Sequence, residues 1–522
     1  MRDFSTMSVI HQKRYLGPFE RVAMKRTTSL TLPFFCAFLC AASALASERE
    51  FVIPLGERQL FLDDVDLVEV QNLARTMHQP EKRGAVIRPS FPWEKTLQTR
   101  SMPAWDEKEQ IFKIWLITST NLPGVAGTSF ALSKDGLKWT KPILRQWELE
   151  GSRENNFIAV DPKMAWPENA IENVVYDPDD PDPERRFKGL LGAYDRRPMV
   201  SPDGVHWTLL DVPPISSQDE SNLSYDRKKR LFILTVKHRG PYGRSVHLST
   251  SEDFETWTKP VLRFHTDELD QKLNAEHIAA RRANPKLQMQ RPLWDVRDSY
   301  KGHTAEPKVD VYNMGLFRYE SLYVGIPSMF HSNDNRWNQD GFHLIELVCS
   351  RDLEKFTRLG DRKTFIGPSA MDERDYDWTQ LLGPSAPVFR GDELWFYYTG
   401  IRYRTQPKDA EKIGGAVCLA VLRRDGFISL DATDTEGHVE TKRFEVPGGK
   451  LFVNADVTHG TLRVECLNVA GEVVATSEVL QGDVLHGEVK WARGELTTLK
   501  RQKTRLRFTL TRGSLYSYWF GE

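Results

Sequence analysis

The sequence predicts an all-β protein, a five-bladed β-propeller followed by a small C-terminal β-sandwich. Three observations carry this reading. A turn of the form Ser-x-Asp-x-x-x-aromatic returns along the chain, as Ser133-Lys134-Asp135-Gly136-Leu137-Lys138-Trp139, Ser201 to Trp207, Ser251 to Trp257 and Ser350 to Phe356, with Arg424-Asp425-Gly426-Phe427 as a worn fifth copy. Each copy follows a hairpin, whose outgoing strands read Ile111 to Trp115, Phe187 to Leu191, Leu231 to Thr235, Leu322 to Ile326 and Leu394 to Tyr398. After about Phe444 the texture changes to period-two alternation, as in Leu451 to Val457 and Thr504 to Leu510, the pattern of strands with one wet face. Units repeating at a spacing of roughly 70 residues cannot bury their own faces, so they must pack on one another. A closed ring of such meanders removes most free sheet edges.

Taken in order, residues 1–23 stand ahead of Met24, which fits as the true start. Met24-Lys25-Arg26, the apolar stretch Leu30 to Leu45 and Ala44-Leu45-Ala46 before Ser47 form a signal peptide over 24–46. The apolar stretch is short and interrupted by Thr31, Pro33 and Ser43, which argues against a membrane span. The propeller is expected over 51–435. Its opening segment, 51–92, is placed to close the ring by pairing with the last blade. An insert at about 267–307, helix-prone from Gln271 to Met289, belongs on the rim, where it shapes access to the centre. The sandwich is expected over 444–522.

The 522 residues are 40% hydrophobic and 27% charged, with a net charge of −1, ordinary values for soluble globular protein. Six basic and two acidic residues lie in the first 46, so the remainder carries 65 basic against 70 acidic, a net charge of −5. This balance gives no attraction for nucleic acid or an anionic membrane. Of five cysteines, Cys36 and Cys40 fall in the signal. Cys349, Cys418 and Cys466 are too scattered for a disulfide framework or a metal site and read as small buried hydrophobes. Neither a phosphate-cradling glycine loop nor a nucleophile elbow is present, and the expectation is no cofactor and no metal.

The innermost strand of each blade lines a propeller's centre. Aligning Leu231-Phe232 on Leu322-Tyr323, an offset of 91 residues, places Asp219 and Asp310 at equivalent inner-strand positions. Glu172 falls on the same face of the second blade, with Glu168 and Glu94 slightly earlier. Paired carboxylates suit glycosidic hydrolysis, because one must donate a proton and the other must act ionised. Asp219, Asp310, Glu172 and Glu168 are therefore the catalytic candidates, against the alternative that strand-start acids bond to backbone N–H groups. Trp93, Trp166, Trp294 and Trp378 offer flat apolar area to sugar rings, or else pack between blades. His331 and Arg297 complete the substrate-binding set. Trp139, Trp207 and Trp257 belong to the repeat and read as structural.

The repeated turns resemble those of the five-bladed propeller glycoside hydrolases of families 32 and 43. The mature chain is similar to secreted, planctomycete-type family 32-like proteins through Arg58 to Asp64, Asp219 to Asn222, Asp310 to Tyr312, Asp392 to Tyr398 and Leu451 to Asp456. The resemblance implies a secreted glycoside hydrolase with a carbohydrate partner. It does not bring the catalytic acids with it: the Asn-Asp-Pro-Asn-Gly, Arg-Asp-Pro and Glu-Cys motifs of family 32 are absent, and Leu97 to Ala104 holds no carboxylate. The rival reading is a non-catalytic carbohydrate-binding propeller that has lost its acids.

Overall fold

A computed structural model describes residues 51–160, 169–287, 307–332, 341–372, 374–402 and 414–522. It is nearly all β, with one α-helix, α1 (Glu268–Ala283), among the described residues. Five antiparallel meanders follow one another. The first runs Glu94–Gln98, Ala104–Asp106, Ile111–Thr120 and Ala126–Ser133; the second Ile171–Tyr176, Phe187–Leu191, Asp195–Ser201 and Thr208–Leu209. The third comprises Ser221–Asp226, Leu231–Gly240, Gly243–Ser251 and Val261–Phe264; the fourth Lys308–Tyr319, Leu322–Ser332, Gly341–Ile345, Val348–Ser350 and Thr357–Arg358. The fifth holds Gln380–Leu382, Val388–Arg390, Glu393–Ile401 and Gly415–Arg423. Its outer strand is Glu81–Ile87, paired antiparallel with Gly415–Arg423 from Val417↔Ile87 to Val421↔Glu81. The leader thus covers an edge that the end of the chain would leave bare.

The repeated turn has one hydrogen-bonding logic. The Asp135 carboxylate accepts from the N–H groups of Leu137 and Lys138, Ser133 Oγ accepts from Gly136 N, and Trp139 Nε1 donates to Gly136 O. The same bonds recur around Ser201, Asp203 and Trp207 and around Ser251, Asp253 and Trp257. Ser350 and Asp352 repeat the serine and aspartate parts. Two of these turns are also received by another meander: Tyr397 Oη of the fifth donates to Gly136 O of the first at 2.8 Å, and Trp115 Nε1 of the first to Gly204 O of the second at 2.7 Å.

Hydrogen bonds join the five meanders in a closed cycle. Ser101 Oγ of the first meander accepts from Val174 N of the second, and Asn173 of the second donates to Ser221 Oγ of the third at 2.7 Å. Asn313 of the fourth donates to Asn222 Oδ1 of the third at 2.9 Å, Ser328 of the fourth to Leu381 O of the fifth, and Thr99 N of the first to Thr399 Oγ1 of the fifth at 2.9 Å. The Asn222 amide reaches inward to Arg100 O and Gly383 O.

A twelve-stranded sheet follows, built around the long strand Lys450–Leu467. It takes more of the chain than 444–522. Ile428–Ala432 and Gly437–Thr441 belong to it, as do the leader strands Gln59–Leu60, Leu67–Gln71 and Ala74–Met77. These strands are five residues or fewer, too short for an alternation to show in the sequence. Phe61, Val439, Val453, Phe508, Tyr518 and Phe520 are buried in its core. Asp425, in the worn fifth turn, is fully buried at the junction and accepts from Arg58, Tyr319, Asn454 and Ser517. Cys349, Cys418 and Cys466 are free and buried. No helix among the described residues is long and apolar enough to cross a membrane.

Candidate functional site

Acidic and basic side chains from the first four meanders converge beside the cycle. Arg100 follows the first inner strand and is 2% exposed. Its guanidinium clamps Glu220 through both carboxylate oxygens, Nη2 to Oε1 at 2.8 Å. Burial pushes the Glu220 carboxyl up, but Arg100 outweighs burial and holds it at about 2. Glu172, on Ile171–Tyr176, is also buried and lies 2.8 Å from Arg196. Burial pushes its carboxyl up to about 7, helped by Glu220 and Asp219 and opposed by Arg196 and Arg100. Two glutamates in one cluster are therefore driven apart: one has lost its water without a full set of donors, and the other has exchanged water for a bidentate guanidinium.

Asp219 precedes the third meander's inner strand with a φ of 99°. Its backbone oxygen accepts from Arg196 and from Ser217 Oγ, which holds this unusual conformation in place. Its side chain is 47% exposed and pairs with Lys237 Nζ at 2.7 Å. Lys237 in turn lies 3.6 Å over the Tyr312 ring. Asp310, within the fourth meander's inner strand, is 1% exposed. Arg244 Nε bonds both of its oxygens at 3.0 and 3.1 Å, and Lys308 Nζ lies 3.7 Å away. A small cavity beside these groups is lined by Glu220, Lys237, Ser245, Tyr312 and Asn313 among others.

The structure thus brings Glu172 and Asp219 into one electrostatic cluster and gives Asp310 a separate, buried ion pair. Glu168, Trp166, Trp294 and Arg297 lie outside the described residues. Glu94 is a capping group: its carboxylate accepts from the N–H groups of Ser90 and Phe91 and from Lys141. Trp93 is half-buried and stacks on Phe91 at 4.5 Å. Trp378 is buried, with its carbonyl bonded by Arg281 and its ring 4.9 Å from the Arg402 guanidinium. His331 is buried at 2% exposure, bonded to Asn274 at 2.9 Å and stacked on Phe342.

Glu220, Arg100, Arg196, Lys237 and Arg244 are absent from the sequence-based set. Glu220 could have been found beside Asp219. The basic residues carry no motif, and their only trace is a charge within an otherwise apolar strand, as at Lys237. Among the described residues, one grouping has metal-ligand spacing, Glu69, His438 and Glu440 in the C-terminal sheet. Glu440 there is held by Arg507 at 2.6 Å and Arg505 at 3.5 Å, which occupies the lone pairs a cation would need.

No family model matches the chain, and no curated protein does. It is similar to several solved structures. A Bombyx mori GH32 beta-fructofuranosidase shares 11% identity, with 85% of this chain and 94% of that one covered at a TM-score of 0.38. A protein described with the GH130 mannoside phosphorylases and glycoside hydrolases shares 14%, with 67% and 94% covered at a TM-score of 0.40. A glycosyl hydrolase from Bacteroides ovatus shares 12%, with 70% and 96% covered at a TM-score of 0.40.

Proposed function

We propose that the five meanders are the blades of a five-bladed β-propeller, that the twelve-stranded sheet forms a C-terminal β-sandwich, and that the protein is a secreted glycoside hydrolase of the family 32/43 type. Residues 24–46 would direct its export. The observation that carries the reading is the elevated carboxyl of Glu172 beside the half-exposed Asp219. A carboxyl with a pKa of about 7 is about half protonated at neutral pH, and the protonated form can give its proton to a leaving glycosidic oxygen. Asp219, the most exposed acid of the cluster, then serves as nucleophile or as base toward water. Glu220, locked by Arg100, fixes the field around Glu172 and leaves the proton transfer to it. Asp310 acts through Arg244, which stands over Tyr312 at 5.1 Å and forms part of the same wall.

A second reading has its own support. Every acid of the cluster faces a cation, Glu172 Arg196, Glu220 Arg100 and Asp219 Lys237, and the separate Asp310 faces Arg244. Such a balanced set suits a structural hub in a propeller that binds carbohydrate without cleaving it.

A panel of neutral and acidic oligosaccharides, assayed with the native protein and with Glu172→Gln, Asp219→Asn and Asp310→Asn, decides between them. Hydrolysis predicts sugar release that Glu172→Gln and Asp219→Asn each reduce by about 10²-fold or more. Release at the native rate by both variants would remove the proposed acid and its partner. Binding without release supports the second reading.

A further inference from the structure

Helix α1 turns one face toward the fourth meander, and a polar group on that face is left without its counterpart. Arg281 is 3% exposed. Its Nη2 donates to Trp378 O at 2.7 Å, and its guanidinium lies 4.8 Å from the Phe342 ring centre. Among the described residues Nε and Nη1 have no partner. Nor does any carboxylate among them balance this charge: burial alone acts on it, lowering its pKa to about 10. The position in the last turn of α1 offers the helix's carbonyl end, which offsets only a small part of the cost of a lone buried cation. In the candidate site, by contrast, the buried guanidiniums of Arg100 and Arg196 and the partly buried one of Arg244 each face an acid.

Two neighbours share the condition. Asn274, two turns earlier on the same helix face and 1% exposed, leaves Nδ2 unbonded among the described residues, and His331 likewise leaves Nε2 unbonded. The Asn274 amide oxygen faces His331 Nδ1 at 2.9 Å. An oxygen can only accept, so the ring proton sits on Nδ1 and Nε2 presents a lone pair. Burial keeps this imidazole neutral. His331 stacks on Phe342 at 5.2 Å, so the same ring carries the guanidinium and the imidazole. His331 stands one register position from Asp310, since Val309↔His331 and Asp310↔Phe330 are successive strand pairs, and so it lies on the opposite face of the same sheet.

The inventory is a set of charged and neutral N–H donors with one acceptor beside them. We propose that Arg281, Asn274 and His331 form a recognition site for a carboxylate that carries a neighbouring hydroxyl, as in a uronic acid. The guanidinium and amide donate to the carboxylate, and the hydroxyl donates to His331 Nε2. The site itself stands apart from any hydrolysis at Glu172; that its ligand is part of a glycan substrate rests on the function proposed above.

Thermal unfolding of the full chain tests it, with sodium galacturonate, galactose, sodium sulfate and sodium chloride compared at equal ionic strength. A ligand that binds only the folded state raises Tm progressively with concentration. The expected result is a rise with galacturonate that exceeds those with galactose and chloride, is smaller with sulfate, and is lost in Arg281→Met. A galacturonate effect no greater than chloride's, or one that persists in Arg281→Met, overturns the proposal. A sulfate response equal to that of galacturonate removes His331 from the site. If Arg281→Met does not fold, the four-ligand comparison on the native protein decides alone. Uronate binding together with an inactive glycan panel would retain the site and reject hydrolysis.

Discussion

Arg100 and Glu220 show why single residues matter in this cluster. Both are buried, and both oxygens of the acid are taken by the guanidinium. Removing one partner leaves a bare charge out of water, whereas removing both leaves neutral groups with no charge to compensate. Arg100→Met is therefore expected to destabilise by roughly 3–5 kcal/mol, and Arg100→Met/Glu220→Gln by much less. Denaturant melts of the two variants check this; equal losses would mean that a Glu220 left without its guanidinium carries no penalty. At this scale the sequence was only partly legible. The 91-residue offset held where Asn222 and Asn313 meet, but it did not extend to the acids. Asp219 lies just ahead of its strand at a positive φ, while Asp310 lies within its strand. A local backbone irregularity of this kind leaves no periodic signal. The cations were illegible because a lysine or arginine in a strand reads as solvent-facing until its partners are known.

The repeated turn was the most legible element, and its chemistry explains why. One aspartate oxygen takes two backbone N–H groups, a serine oxygen takes a third, and an indole N–H closes the loop. Each role accepts few residue types, so the turn keeps its letters while the strands drift. The docking of one meander's aromatic into the next meander's turn was not visible, because it joins residues such as Trp115 and Gly204 that lie 89 positions apart. Trp115 is 1% exposed and packs against Phe130, Phe187 and Trp207. Trp115→Phe loses the bond to Gly204 O and leaves a void, with an expected cost of about 2–4 kcal/mol. A fall of this size in the free energy of unfolding is the predicted outcome, and a change within about 0.5 kcal/mol, as at an ordinary surface position, would show that the junction does not hold the meanders together.

For the whole molecule, the leader ties both parts of the structure. Three of its strands lie in the C-terminal sheet and the fourth covers the fifth meander. The closing role was legible because a ring of meanders must hide its last edge. The share of the leader in the C-terminal sheet was not, because strands such as Gln59–Leu60 and Ala74–Met77 are too short to show alternation. Closing the cycle is also what takes Glu172 out of water, since Ser101 and Arg100 of the first meander and Asp219 and Glu220 of the third pack around it. The raised carboxyl has a definite sign. Between about pH 4.5 and 7 the folded chain holds this proton and the unfolded chain does not, so its contribution to stability is full below that window and is lost as pH rises through it. Carbon-13 NMR of the side-chain carboxyls follows the proton itself. The native protein should show a glutamate resonance titrating near pH 7 that vanishes in Glu172→Gln, which separates it from Glu346, also pushed up to about 7 by burial. A Glu172 resonance titrating in the ordinary carboxylate range near 4.5 would leave the cluster without an acid and contradict the proposed chemistry.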